Sequence, residues 1–87
     1  MAQNTFTKPK LGLLPHARYG ADTEWINQQL GYLTEDEREK ICDAYSKAFR
    51  EAELNEKVEH KKVNAGRFAA NSRLRIFIKK RFAVFNK

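Results

Sequence analysis

Leu33-Thr34-Glu35-Asp36-Glu37-Arg38-Glu39-Lys40-Ile41-Cys42-Asp43-Ala44-Tyr45-Ser46-Lys47-Ala48-Phe49-Arg50-Glu51-Ala52 is the stretch that decides the fold. Thr34 and Glu37 stand at the spacing of a capping box. There the threonine hydroxyl accepts from the third helical N–H while the glutamate reaches back to the N–H of the cap. Glu35, Asp36 and Glu37 also place three acids in the first turn, at the positive end of the helix dipole. Behind them Ile41, Tyr45, Ala48, Phe49 and Ala52 recur at intervals of four, three, one and three, a single apolar stripe. Glu39, Asp43, Lys47 and Arg50 fall off that stripe and face water. A helix starts at Thr34 and buries this stripe.

Upstream, Asp22 or Thr23 is placed to cap a short helix carrying Trp25, Ile26 and Leu30, with Gly31 expected to end it in the left-handed conformation. Both prolines, Pro9 and Pro15, lie in the first twenty residues beside Gly12 and Gly20, so residues 1–20 read as an extended arm. Its Phe6, Leu11, Leu13 and Leu14 can pack onto the body of the protein, although a terminus draped on the surface is the plainer reading. Downstream, the stripe loses phase between Leu54 and Lys62, where a turn is expected without a glycine or proline to mark it. A third helix then carries Val63, Ala70, Leu74, Phe77, Ile78 and Phe85 on one broad side, its first turn loosened by Asn64-Ala65-Gly66. Residues 74–85 are rich in Ile, Phe and Val, so a strand competes there. Alternation fails at Lys79-Lys80-Arg81 and no pairing strand is in sight, which favours the helix. The expected fold is all-α: about three helices over residues 21–87, preceded by the extended arm of residues 1–20.

Eighty-seven residues make one domain with a modest core. Hydrophobic residues at 41% and charged residues at 32% exclude disorder of the whole chain. No apolar run is long enough to span a membrane, and Met1-Ala-Gln-Asn-Thr has neither the basic nor the apolar region of a signal peptide. Cys42 is the only cysteine, so no internal disulfide can form and a reducing cytoplasm is the expected compartment.

Enzymatic chemistry finds no foothold. Cys42, His16 and His60 lack the spacing of zinc ligands, and Cys42, at the edge of the apolar stripe, reads as a small buried thiol. Ser46 and Ser72 lie on helices without a glycine elbow or a neighbouring base, and the four glycines are isolated, so no loop cradles a phosphate. The acids at positions 35–39 serve the helix start. No catalytic residue, metal or cofactor is expected.

Charge carries the functional reading. The net charge of +6 conceals a strong asymmetry: all eleven acids lie between Asp22 and Glu59, a segment that holds only five Lys and Arg. From His60 to Lys87 there are nine cations and no acid. On a helical wheel Lys61, Arg75 and Lys79 line one flank of the third helix's apolar stripe, and Lys62, Arg73 and Lys80 line the other. Arg67 and Arg81 sit at the stripe's edges, where their aliphatic stems can cover core residues. Such a field binds phosphate backbones by counterion release without reading sequence. DNA is the expected partner, through Lys61, Lys62, Arg67, Arg73, Arg75, Lys79, Lys80 and Arg81. The competing account pairs these cations with the acidic second helix, in which case they hold the fold and bind nothing. A smaller place goes to acidic lipid bound by an amphipathic helix. Trp25 and Tyr19 could stack on bases, but an aromatic core role is commoner.

Tyr19-Gly-Ala-Asp-Thr-Glu-Trp-Ile26, Ile41-Cys-Asp-Ala-Tyr-Ser-Lys-Ala-Phe49 and Ala70-Asn-Ser-Arg-Leu-Arg75 give the chain its character. In these it resembles the small accessory proteins of temperate phages and prophages of enteric bacteria. The resemblance implies a setting: assistance in replication or recombination, regulation of transcription, or capture of a host protein. Two functions follow as expectations. The leading one is a non-enzymatic protein holding DNA, or a protein–DNA assembly, by its basic third helix. The other is a module that binds and inhibits or redirects a host enzyme through the acidic second helix or the arm. A homodimer through the broad apolar side of Leu74 to Phe85 is a third arrangement.

Overall fold

The computed structural model describes residues 12–83, and these form three α-helices with no strand among them. Helix α1 spans Thr23–Leu30, α2 Glu35–Asn55 and α3 Lys62–Phe82, with 3-10 turns at Gly20–Asp22 and Glu59–Lys61. The all-α expectation holds, and residues 74–82 are helical, not extended. Phe85 and the arm residues Phe6, Pro9 and Leu11 lie outside the described residues.

The capping box at the head of α2 is formed on both sides: Glu37 N–H donates to Thr34 Oγ1 at 3.2 Å, and Thr34 N–H donates to Glu37 Oε1 at 3.1 Å. Tyr45, Ala48 and Phe49 of the expected stripe are buried, with Ile41 packed beside them, and Cys42 joins them. Burial pushes the Cys42 thiol pKa up, so it stays protonated.

Helices α2 and α3 form an antiparallel hairpin. Glu37 meets Arg81, Tyr45 meets Asn71 and Phe49 meets Gly66, so contact runs the length of both. Helix α1 lies along this pair in the direction of α3: Asp22 reaches Arg67 near its start, and Tyr32 packs edge-on against Phe82 near its end. Ile26, Leu30 and Leu74, all fully buried, fill the seam, and each contributes roughly 1.5–3 kcal/mol relative to exposure. Residues 12–19 have no regular structure and cross α1 and α2. Pro15 is fully buried, Leu14 touches the core and the Leu13 carbonyl accepts from Arg38 Nε at 2.7 Å. The Leu13 side chain stays exposed, so the arm is anchored here by backbone and proline, with Leu14 the only one of its described leucines in the core.

Four local expectations are corrected. Gly31 is right-handed, at φ −63° and ψ −17°. The end of α1 tightens instead: Tyr32 and Leu33 N–H groups reach the carbonyls of Gln29 and Leu30, so the last carbonyls are satisfied without a left-handed residue. Neither Asp22 nor Thr23 caps α1. Asp22 ends a 3-10 turn with right-handed backbone, and its carboxylate is drawn away to Arg67 and Asn71; the Thr23 hydroxyl accepts from Arg18. Gly66 does not loosen α3. It is buried in regular helix, and a Cβ there would stand 2.7 Å from Cδ1 and Cε1 of the Phe49 ring, so glycine is what lets the two helices touch. Val63, expected on the apolar side, remains 41% exposed in the first turn of α3.

The turn between α2 and α3 occupies Glu56–Val58, where Glu56 and Val58 adopt extended backbone. Lys62 stabilises it, its Nζ donating to the Glu53 carbonyl at 3.0 Å and to the Glu56 carbonyl at 2.5 Å. A cation on the last carbonyls of α2 also complements the negative end of that helix.

Candidate nucleic-acid interface

The eight cations expected to bind phosphate divide into two groups. Three are spent inside the molecule. Lys62 caps α2. Arg67 forms a two-pronged pair with Asp22, Nε and Nη2 each 2.9 Å from a carboxylate oxygen, and its guanidinium lies 4.4 Å from the centroid of the Tyr19 ring. Arg81 donates from Nε to Glu37 at 2.8 Å, closing the last turn of α3 onto the capping box of α2. Glu37 therefore serves its own helix and its neighbour's at once, and these hydrogen bonds, Arg81's first, hold its carboxyl pKa low.

The other five, Lys61, Arg73, Arg75, Lys79 and Lys80, are exposed and form no ion pair among the described residues. Arg75 alone has a fixed neighbour, its guanidinium 4.9 Å from the centroid of Trp25, with Trp25 half-buried against the core. The exposed acids of α2 sit elsewhere: Glu35, Asp36, Glu39 and Asp43 lie along its solvent side, and Glu37 is the α2 acid that pairs with an α3 cation. The acidic helix thus packs on the basic one through apolar side chains, leaving most of the charge of both on the surface.

A fully satisfied polar chain fixes α3 about its own axis and so sets which cations point outward. Tyr45 Oη donates to Asn71 Oδ1 at 2.5 Å, Asn71 Nδ2 donates to Asp22 Oδ2 at 3.1 Å, and Asp22 receives Arg67. Asn71 is buried, and among the described residues no buried side-chain nitrogen or oxygen lacks a partner. The Arg67 hydrogen bond, helped by that of Asn71, holds the Asp22 carboxyl below its usual pKa, against the opposing effect of burial. Burial, reinforced by the Asp22 charge, pushes the Tyr45 hydroxyl up to about 12, so it remains a donor at neutral pH. Sequence periodicity does not reveal this chain, because Asp22 reads as a cap and Asn71 as an ordinary polar position.

The outer side of α3 also carries exposed apolar side chains. Phe68 is 77% exposed and Ile76 54% exposed, both away from the buried Gly66, Ala70 and Leu74. The apolar residues of α3 thus surround the helix. Phe68 stands in heptad register with Lys61 and Arg75, and that spacing is the signal that would have found it.

No protein-family model, curated protein or solved structure matches the chain. Among the described residues no three His, Cys, Asp or Glu side chains gather as a metal site requires, and no helix is long and apolar enough to cross a membrane. The small groove between α2 and α3, about 150 Å³, is lined by Ile41, Ala44, Tyr45, Ala70, Leu74 and Phe77 with Arg73 at its edge, an apolar seam with little polar chemistry to offer.

Proposed function

We propose that the chain binds nucleic acid as a polyanion through the outer side of α3, without reading sequence, in the genome metabolism of a phage or prophage. The observation that carries this reading is the division of the cations: Lys61, Arg73, Arg75, Lys79 and Lys80 remain exposed and form no ion pair among the described residues, although the chain holds eleven acids. Clustered lysine and arginine on one helix release condensed counterions on meeting a phosphate backbone, and the free energy of that release requires no base contact. Lys62, Arg67 and Arg81 support the surface indirectly, by holding α3 in place. Binding to a labelled duplex, followed by anisotropy from low to high salt, tests the reading. Five phosphate contacts give a slope of log K against log salt of about −4.5. No binding at low salt, or binding indifferent to salt, overturns it.

A second reading has an observation of its own. Glu35, Asp36, Glu39 and Asp43 form an exposed acidic row on α2, of the kind a host nucleic-acid enzyme could accept in place of phosphate. Pull-down from bacterial lysate after nuclease treatment separates the two. A stoichiometric protein partner that survives nuclease and is lost on Glu39→Lys with Asp43→Lys supports this reading; loss of all partners with the nucleic acid supports the first.

A further inference from the structure

Phe68 presents an aromatic ring to solvent at the middle of a basic helix face, outside the core that the described residues form. The ring is 77% exposed, while the core-facing side of the same helix is satisfied by Gly66, Ala70 and Leu74. Seven residues return an α-helix almost to the same direction, so the triplet of Lys61 (the N-cap of α3, at the end of the 3-10 turn), Phe68 and Arg75 falls close to one line, and Lys79 extends it by one turn. With a rise of about 1.5 Å per residue, each cation of the triplet lies roughly 10 Å along the axis from the ring. Arg75 adds a second flat surface, because its guanidinium rests over Trp25 while the residue stays exposed.

We propose that this line is a single-strand site, in which a splayed base stacks on Phe68 while Lys61, Arg75 and Lys79 hold the phosphates on either side. The inference rests on the polyanion reading above and narrows it to single-stranded nucleic acid. Aromatic rings between cations favour a single strand because its bases expose their faces, whereas a duplex hides them in the stack and offers only base edges in its grooves. Two other occupants fit less well. A second copy of α3 laid on the first brings Lys61, Arg75 and Lys79 against their own kind. An anionic bilayer takes a helix by a continuous apolar face, and on the outer side of α3 the exposed large hydrophobics among the described residues are Phe68 and Ile76, with Ser72 between them.

The test is anisotropy with a labelled oligothymidylate, a duplex of equal length and vesicles containing phosphatidylserine, using the wild type, Phe68→Ala and Phe68→Tyr. Since the ring is exposed, both variants should melt with the wild type. Phe68→Ala is expected to weaken oligothymidylate binding about tenfold, within the range of one lost base–aromatic stack, while duplex binding changes less than twofold and the salt slope is kept. Phe68→Tyr is expected to retain most of the affinity. Trp25 is the only tryptophan and lies under Arg75, so its emission should change on adding oligothymidylate. Equal loss for single strand and duplex, no loss for either, or loss of vesicle binding alone overturns the single-strand site. Absence of wild-type binding to either nucleic acid overturns the polyanion reading itself.

Discussion

Replacing Asp22 by alanine removes the acceptor on which the rotation of α3 depends. Two partners are stranded at once. Asn71 is buried, and its Nδ2 loses its hydrogen bond; leaving a buried donor unsatisfied costs about 1–3 kcal/mol. Arg67 loses a two-pronged pair whose side chains are 37% and 14% exposed for the arginine and the aspartate. Solvent screens the arginine side, so this part adds little to the loss. No helix cap is lost, because Asp22 makes no capping hydrogen bond. The two parts together give about 2 kcal/mol, and for a domain of this size a lowering of the melting temperature by roughly 8–16 °C. Thermal melts followed by circular dichroism at neutral pH measure it directly. The same pair predicts a pH effect. The folded-state pKa of Asp22 is below its unfolded value, so its stabilisation is full above the unfolded pKa of about 4 and is lost as pH falls through the folded value. The gap between Asp22→Ala and the wild type should therefore narrow in strong acid by the part that depends on the Asp22 charge. A variant within 0.5 kcal/mol of the wild type at pH 7, or a difference that does not shrink in acid, refutes the reasoning.

Three further substitutions probe the hairpin. Gly66→Ala gains about 1 kcal/mol of helix propensity but drives a methyl to 2.7 Å from the Phe49 ring, whose displacement costs about 1–3 kcal/mol. A net loss of about 1 kcal/mol in urea denaturation is expected, and restoration by Phe49→Leu in the double variant identifies the clash. Thr34→Ala opens the capping box and should cost about 1 kcal/mol by the same assay, with no change in nucleic-acid affinity. Lys62→Met removes the charge on the last carbonyls of α2 and should lower stability by about 1 kcal/mol. Its salt slope in duplex binding should match that of the wild type.

What could be read in the sequence was local or periodic. Thr34 with Glu37, and the spacing of Tyr45, Ala48 and Phe49, depend on neighbours within two turns, and the structure reproduces both. The burial of Cys42 follows from the same stripe. Tertiary competition accounts for the misses. Asp22 has the right chemistry for a cap, but Arg67, forty-five residues away, offers two hydrogen bonds and takes it. Gly66 looks like a helix breaker until Phe49 is placed against it. The connection at Glu56–Val58 needs no glycine or proline, since Glu56 and Val58 adopt extended backbone and Lys62 satisfies the helix end from across the turn. The basic helix was legible as a segment, yet sequence does not say which cations turn inward. That sorting is set by the turn before α1 and the head of α2, which together claim Arg67 and Arg81, and by the tail of α2, which claims Lys62.

The sorting of these cations decides which side of α3 meets phosphate. The most direct measurement is the salt slope of duplex binding for two sets of three substitutions that remove equal charge: Arg73→Gln, Lys79→Gln and Lys80→Gln in one protein, Lys62→Gln, Arg67→Gln and Arg81→Gln in the other. Each phosphate contact contributes about 0.9 to the slope, so the first protein should fall from about −4.5 to about −1.8. The second should keep a slope close to that of the wild type over the temperature range in which it remains folded. Equal slopes for the two proteins, or the larger loss in the second, would contradict the assignment of the outward cations of α3 as the binding surface.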